Sequence, residues 1–154
     1  MKEKILEAFA NLGFKLEDAD GAGYVFNYEG IRYIYMHNDD DEEFFTIALP
    51  GFYDYDEEHI GQYCALAEKI NSTLKYIKAY TLCGRMWLFY ERELLGEDDL
   101  DEIIPRMIIR LEAGLQFAHN ALEEIDASFD QDDEDQDDED SGESGCEDVT
   151  DDNE

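Results

Sequence analysis

The chain has 154 residues, of which 42 are acidic and 11 basic, for a formal net charge of −31, while 44% are hydrophobic. That length and apolar share suit one compact domain with a core of its own. The charge excludes a nucleic-acid partner, since a phosphate backbone would be repelled, and favours basic proteins or basic peptide segments instead.

The charge is unevenly spread. Residues 126–154 hold 16 of the acidic residues and no basic one, which leaves −15 on residues 1–125. Phe129 and Val149 are the only large apolar side chains in that last stretch. So little apolar surface cannot offset chain entropy, and the composition predicts a disordered acidic tail. Cys64, Cys83 and Cys146 form an odd set with no C-x-x-C pair, which fits free thiols in a reducing cytoplasm. The opening MKEKILEAFANLG places Glu3 and Glu7 where an export signal needs an apolar run, and no stretch of about 18 apolar residues offers a membrane span.

In chain order, residues 2–12 read as a short helix with Ile5, Phe9 and Leu12 on one face and Gly13 as its stop. Residues 14–17 read as a brief strand before the turn-rich Asp18-Ala19-Asp20-Gly21. Residues 24–28 and 31–36 alternate aromatic and β-branched side chains around Glu29-Gly30, the pattern of a tight hairpin. Both faces of that hairpin carry apolar groups, so the sheet should be covered by helices on one side and partly covered on the other. Residues 44–49 read as a fourth strand, ended by Pro50-Gly51. A second helix is expected over residues 57–72, capped by Asp54 or Asp56, with Ile60, Tyr63, Leu66, Ala67 and Ile70 buried. Residues 75–82 and 85–91 are two more strands around Cys83-Gly84. The second is bulky on both sides, as an interior strand would be. Cys64 and Cys83 fall in elements expected to be buried, where cysteine behaves as a small apolar residue.

Residues 100–125, LDEIIPRMIIRLEAGLQFAHNALEEI, carry the longest amphipathic pattern. Ile104, Leu111, Ala118 and Ile125 take one seam; Leu100, Met107, Gly114 and Ala121 take a second; Ile108, Leu115 and Leu122 flank them. A stripe three positions wide in seven marks a helix buried on a core. At 1.5 Å per residue it would span about 39 Å, enough to cross a small sheet. Asp98 or Asp99 can cap it, and Pro105 predicts a kink or a fresh start. The predicted fold is therefore α+β: helix, four-strand antiparallel meander, helix, two strands, and a long C-terminal helix packed on the sheet.

That element order, with the aromatic hairpin YVFNYEGIRYIYM, the strand RMWLFYE and the final amphipathic helix, resembles the YbjN family, which carries the provisional label of bacterial sensory transduction regulators. More broadly it resembles the type III secretion chaperone fold, whose members are small, acidic and usually dimeric. The resemblance covers residues 1–125 and leaves the tail outside. It implies a binding or chaperone-like role without enzymatic activity, and it brings no short motif whose residues could be carried across.

Candidate sites are few. Ile109, Ala113 and Phe117, spaced i, i+4, i+8 with Ile103 near the same edge, form a second apolar line on the final helix. They read as a homodimer or partner contact, since helix-in-groove docking uses this spacing. His37 before Asn38-Asp39-Asp40-Asp41, and His119 four residues before Glu123, are expected to be a solvated loop and a surface ion pair. A tight metal site needs three or four convergent ligands at suitable spacing. Gly21-Ala22-Gly23 reads as a turn, not a phosphate loop. No nucleophile elbow, dinucleotide fingerprint or other catalytic motif is present, so no catalytic, cofactor or metal residue is assigned. The sequence thus predicts a cytoplasmic, non-enzymatic protein-binding or regulatory domain, homodimeric, that engages partner segments through its sheet face and last-helix edge. The alternative is an acidic solubilising or regulatory module whose tail competes for cationic protein surfaces.

Overall fold

A computed structural model describes residues 1–137 of the chain. Its elements run α1 (Lys2–Asn11), β1 (Glu17–Asp18), β2 (Tyr24–Tyr28), β3 (Ile31–Met36), β4 (Phe44–Asp54), α2 (Ile60–Thr73), β5 (Ile77–Leu82), β6 (Arg85–Glu93) and α3 (Leu100–Asp137). The six strands form one antiparallel sheet in the order β1-β2-β3-β4-β6-β5. The α+β architecture expected from the sequence is the one observed.

Local chemistry sets each connection. Glu29 and Gly30 both take positive φ, 48° and 82°, as the two central residues of a tight β2–β3 hairpin must. Cys83 and Gly84, at 53° and 72°, repeat the device between β5 and β6. That turn leaves Cys83 exposed, and Cys64 sits on the outer side of α2, so neither thiol is buried as expected. The strand expected at residues 14–17 shrinks to β1, because Phe14 turns inward onto the rings of Phe9 and Phe26, with centroids 5.7 and 5.3 Å away. Strand β4 does not stop at Pro50-Gly51. A register shift between Leu49 and Tyr53 absorbs the proline as an irregularity, and Gly51 makes room for the Arg85 side chain on β6.

A single 3-10 turn, Glu57–His59, precedes α2, and the Asp56 carboxylate accepts the Glu58 amide at 3.0 Å. Because the α-helix starts only at Ile60, that side chain lies outside the buried face and is exposed, whereas Tyr63, Leu66 and Ile70 are buried as expected. Asp99 caps α3 through the Asp101 and Glu102 amides. The helix continues through Pro105 without a restart. The carbonyl that loses its partner there belongs to Asp101, on the exposed first turn, where water can replace it.

The inner face of the sheet and all three helices share one core. Phe26, Tyr33, Tyr35, Phe45, Ile47, Leu49, Met86, Leu88 and Tyr90 meet Ile5 and Phe9 of α1, Leu66 and Ile70 of α2, and the stripe of α3. In that stripe Ile104, Met107, Ile108, Leu111 and Ala118 are buried. At roughly 1.5–3 kcal/mol for each large apolar side chain, α3 makes the greatest gross contribution of any one helix. It also runs twelve residues further than the sequence pattern predicts, to Asp137, so residues 126–137 are helix and not disordered tail. Phe129 accounts for the extension by lying against Gly61 of α2. Residues 138–154, including Cys146 and Val149, lie outside the described residues.

Candidate functional site: the open sheet face

The second face of the sheet is apolar along a single row. Cross-strand register aligns Val25, Ile34, Ala48, Phe89 and Lys78 across β2, β3, β4, β6 and β5. The first four are buried, yet they stand apart from the core that the helices cover. They are covered by side chains of their own face. Tyr80 lies flat on Phe89, with centroids 3.9 Å apart and planes 3° from parallel. Trp87 continues the stack at 6.0 Å from Phe89.

Beside that row is a groove of about 390 Å³. Its apolar wall is Met36, Phe44, Tyr80 and Phe89, with Thr46 in the floor. Phe44 is 47% exposed and Tyr80 45%, a large uncovered aromatic surface for one groove. The polar wall comes from His37, Asn38 and Asp41 on the β3–β4 loop and from Lys78 and Glu91 on the sheet. Lys78 and Glu91 form an ion pair across β5 and β6 that holds the ammonium pKa above its ordinary value, chiefly by hydrogen bonding. With its one lysine already paired, the groove presents net negative charge. Burial, followed by the Glu91 charge, raises the Tyr80 phenol, which stays neutral near pH 7.

The loop that rims the groove is not the simple solvated loop expected. His37 Nε2 lies 2.8 Å from Asp39, its Nδ1 lies 3.4 Å from the Tyr35 hydroxyl, and Glu42 joins them so that donor atoms of His37, Asp39 and Glu42 all fall within 4.8 Å. The sequence spaced these three too irregularly to single them out. Asp39 and Glu42 are exposed, and the arrangement already satisfies itself as a histidine–carboxylate hydrogen bond. His119 does not pair with Glu123 in the manner expected: its ring faces Phe52, 6.2 Å between centroids.

The proposed ridge on α3 is broken up by the structure. Ile103 is buried in the core, and Phe117 is half-buried and packed against it. Eighteen residues make five helical turns, so Ile103 shares its face with buried Ala121. Ile109, 57% exposed, and Ala113 are left facing outward. Phe44, Tyr80 and the Phe89 row carry more exposed or accessible apolar surface than that ridge. The sequence signal for them was the double-sided bulk of β6, read as a mark of interior position only.

Comparison with known proteins places the fold. No family model matches the chain, and no curated protein matches it either. Among solved structures it is similar to YbjN from E. coli, provisionally labelled a transcription regulator. The TM-score is 0.54 at 12% sequence identity, over 80% of this chain and 90% of that one. At that identity the likeness is one of fold. No helix among the described residues is long and apolar enough to cross a membrane.

Proposed function

We propose that this chain is a non-enzymatic protein-binding module with a regulatory role, whose open sheet face holds an extended partner segment combining an apolar anchor with basic flanks. The observation that carries the reading is the groove itself: an aromatic wall at Phe44 and Tyr80 beside a rim at Asp41 and Glu91. Aromatic side chains give an anchor large contact area at low entropic cost, while uncompensated carboxylates around them select basic flanks and repel acidic ones. The regulator label of the E. coli neighbour points in the same direction. The reading also includes a homodimer through the outward side of α3 at Ile109 and Ala113, and residence in the cytoplasm.

Trp87 is the single tryptophan and belongs to the stack beside the groove, so its fluorescence reports occupancy directly. A peptide with a leucine or phenylalanine anchor between lysines should shift Trp87 emission saturably. A peptide with the same anchor between glutamates should not. Phe44→Ser with Tyr80→Ser should weaken the response at least tenfold while the fold persists. Equal binding of both peptides, or a response unchanged by the double variant, rejects the reading. The competing proposal, that the acidic C-terminal stretch itself captures cationic surfaces, is separated by cutting after Asp137. Groove binding survives that cut and tail capture does not.

A further inference from the structure

The sheet ends in two edges, and each is closed differently. At one, β1 is only two residues long, too short to template another strand. At the other, β5 runs six residues and pairs only with β6. An edge of this length leaves a row of unpaired amides and carbonyls, the usual route to strand addition.

Asn71, in the last turns of α2, meets that edge at one residue. Its amide nitrogen donates to the Ala79 carbonyl at 2.9 Å, and its side-chain oxygen accepts from the Ala79 amide at 2.8 Å. Two residues that exchange both bonds are what a hydrogen-bonded pair in an antiparallel ladder looks like. The carboxamide therefore stands where a residue of a seventh strand would. Asparagine is a poor choice inside a helix on propensity alone, which leaves this contact as the reason for its presence. Because ladder groups alternate in direction, the outward bonds of Ala79 imply that Ile77 and Thr81 also turn their backbone groups away from β6.

We propose that Asn71 is a strand-mimicking plug that closes the β5 edge against a second copy of this chain. A second copy is the occupant because it brings an identical edge that fits itself. Antiparallel pairing centred on Ala79 sets Ala79 opposite its twin, Ile77 opposite Thr81 and Lys78 opposite Tyr80. The smallest side chain is at the centre and no like charges meet directly. The mutual repulsion of two chains at −31 each is the remaining obstacle, and salt screens it. This inference depends neither on the groove nor on the α3 contact.

The test uses the full chain at physiological and raised salt, with mass followed by sedimentation and light scattering against concentration. To keep any α3 association from masking the result, the same substitutions are repeated in an Ile109→Glu background. Asn71→Ala should tighten self-association at least tenfold over its parent. Adding Tyr80→Lys should undo this by facing lysine with lysine, whereas adding Tyr80→Glu should strengthen it by facing Lys78 with glutamate. At low concentration the Ala79 amide of Asn71→Ala should exchange its hydrogen faster than in the parent, and at high concentration it should regain protection. Plain loss of a stabilising contact would not give that recovery. Unchanged mass in Asn71→Ala, or Lys and Glu at position 80 acting alike, overturns the proposal. If Asn71→Ala does not fold, the parent decides: the Ala79 amide must be protected and independent of concentration, and an unprotected amide there sinks the plug.

Discussion

Phe129 rests directly on the backbone of Gly61: a Cβ placed on that glycine would come within 2.8 Å of the ring's Cε1. This one contact ties the acidic end of α3 to the first turn of α2. Phe129 is only about two-thirds buried, so Phe129→Ala should cost about 1–2 kcal/mol, less than the roughly 3–5 kcal/mol of a fully buried phenylalanine. Hydrogen exchange over residues 126–137 should rise well beyond the change in global stability. Gly61→Ala should do the opposite to the melting temperature. It gains about 1 kcal/mol of helix propensity, and the obstructing atoms belong to the free end of a ring that can swing aside. The same exchange increase over residues 126–137 is expected, now without a fall in melting temperature. If Phe129→Ala leaves exchange there unaltered, another contact holds the helix end.

The entrance to α2 should carry a mild pH dependence. His59 Nδ1 lies 2.9 Å from Asp56, and this hydrogen bond raises the histidine pKa above 6.5, with the Asp56 charge adding to it. The same bond, then the Glu58 amide, lowers Asp56 below 3.8. The histidine contribution is whole below 6.5 and fades as pH rises through the raised value. The carboxylate contribution is whole above 3.8 and fades as pH falls through the lowered value. The pair therefore works fully between those two ordinary values and weakens on either side. Both groups are exposed, so the effect on global stability should be small. An NMR titration reads it cleanly: Asp56→Asn should move the His59 midpoint down toward 6.5, and an unmoved midpoint would falsify the pairing.

Helix periodicity made most of this fold legible, and the two misjudgements on α3 come from one geometric fact. Eighteen residues return a helix to the same face. Ile103 is thus aligned with Ala121, inside the buried arc, and Phe129 is aligned with Leu111 at its centre. Reading the pattern to its last apolar residue would have carried the helix through the acidic run, where composition argued against it. The β2–β3 hairpin was legible because its turn needs two residues at positive φ and Glu29-Gly30 suits one. The insertion of β6 between β4 and β5 was not, since strand order depends on pairing partners far apart in sequence. The groove was hidden for the same reason: Phe44, Tyr80 and Phe89 become neighbours only through that order.

Two buried tyrosines on β3 should respond differently to loss of their hydroxyls. Tyr33 is fully buried, and its hydroxyl has no hydrogen-bond partner among the described residues. Burial pushes its pKa to about 12, with Glu112 adding to the effect. Tyr33→Phe keeps the ring stacked on Phe26, at 5.4 Å, and removes only the unpaired group. An unpaired buried hydroxyl costs about 1–3 kcal/mol, so the variant should be as stable as the parent or more so. Tyr35 also has a pKa of about 12 through burial, but its hydroxyl reaches His37 at 3.4 Å. Tyr35→Phe should therefore be neutral or cost about 0.5–1 kcal/mol, and it should free the His37 ring. Urea denaturation of both variants decides the point, and a Tyr33→Phe protein clearly weaker than Tyr35→Phe would contradict it.

Two glycines near that strand separate backbone strain from steric collision. Gly30, in the hairpin turn, has φ of 82° and nothing within 4 Å of an added Cβ. Gly30→Ala meets only the cost of a left-handed conformation, roughly 1–2 kcal/mol. Gly23 combines φ of 127° with a Cβ position only 2.1 Å from the Tyr35 carbonyl oxygen. No rotamer change can relieve a clash with backbone, so Gly23→Ala must push the start of β2 off β3. Tyr24, stacked on Tyr35 at 5.9 Å, would move with it. The expected loss exceeds that of Gly30→Ala by at least about 2 kcal/mol, in the range where single changes unfold marginal domains. Thermal melts of the two variants side by side test this, since similar losses would mean that Gly23 and the Tyr35 carbonyl are not in contact.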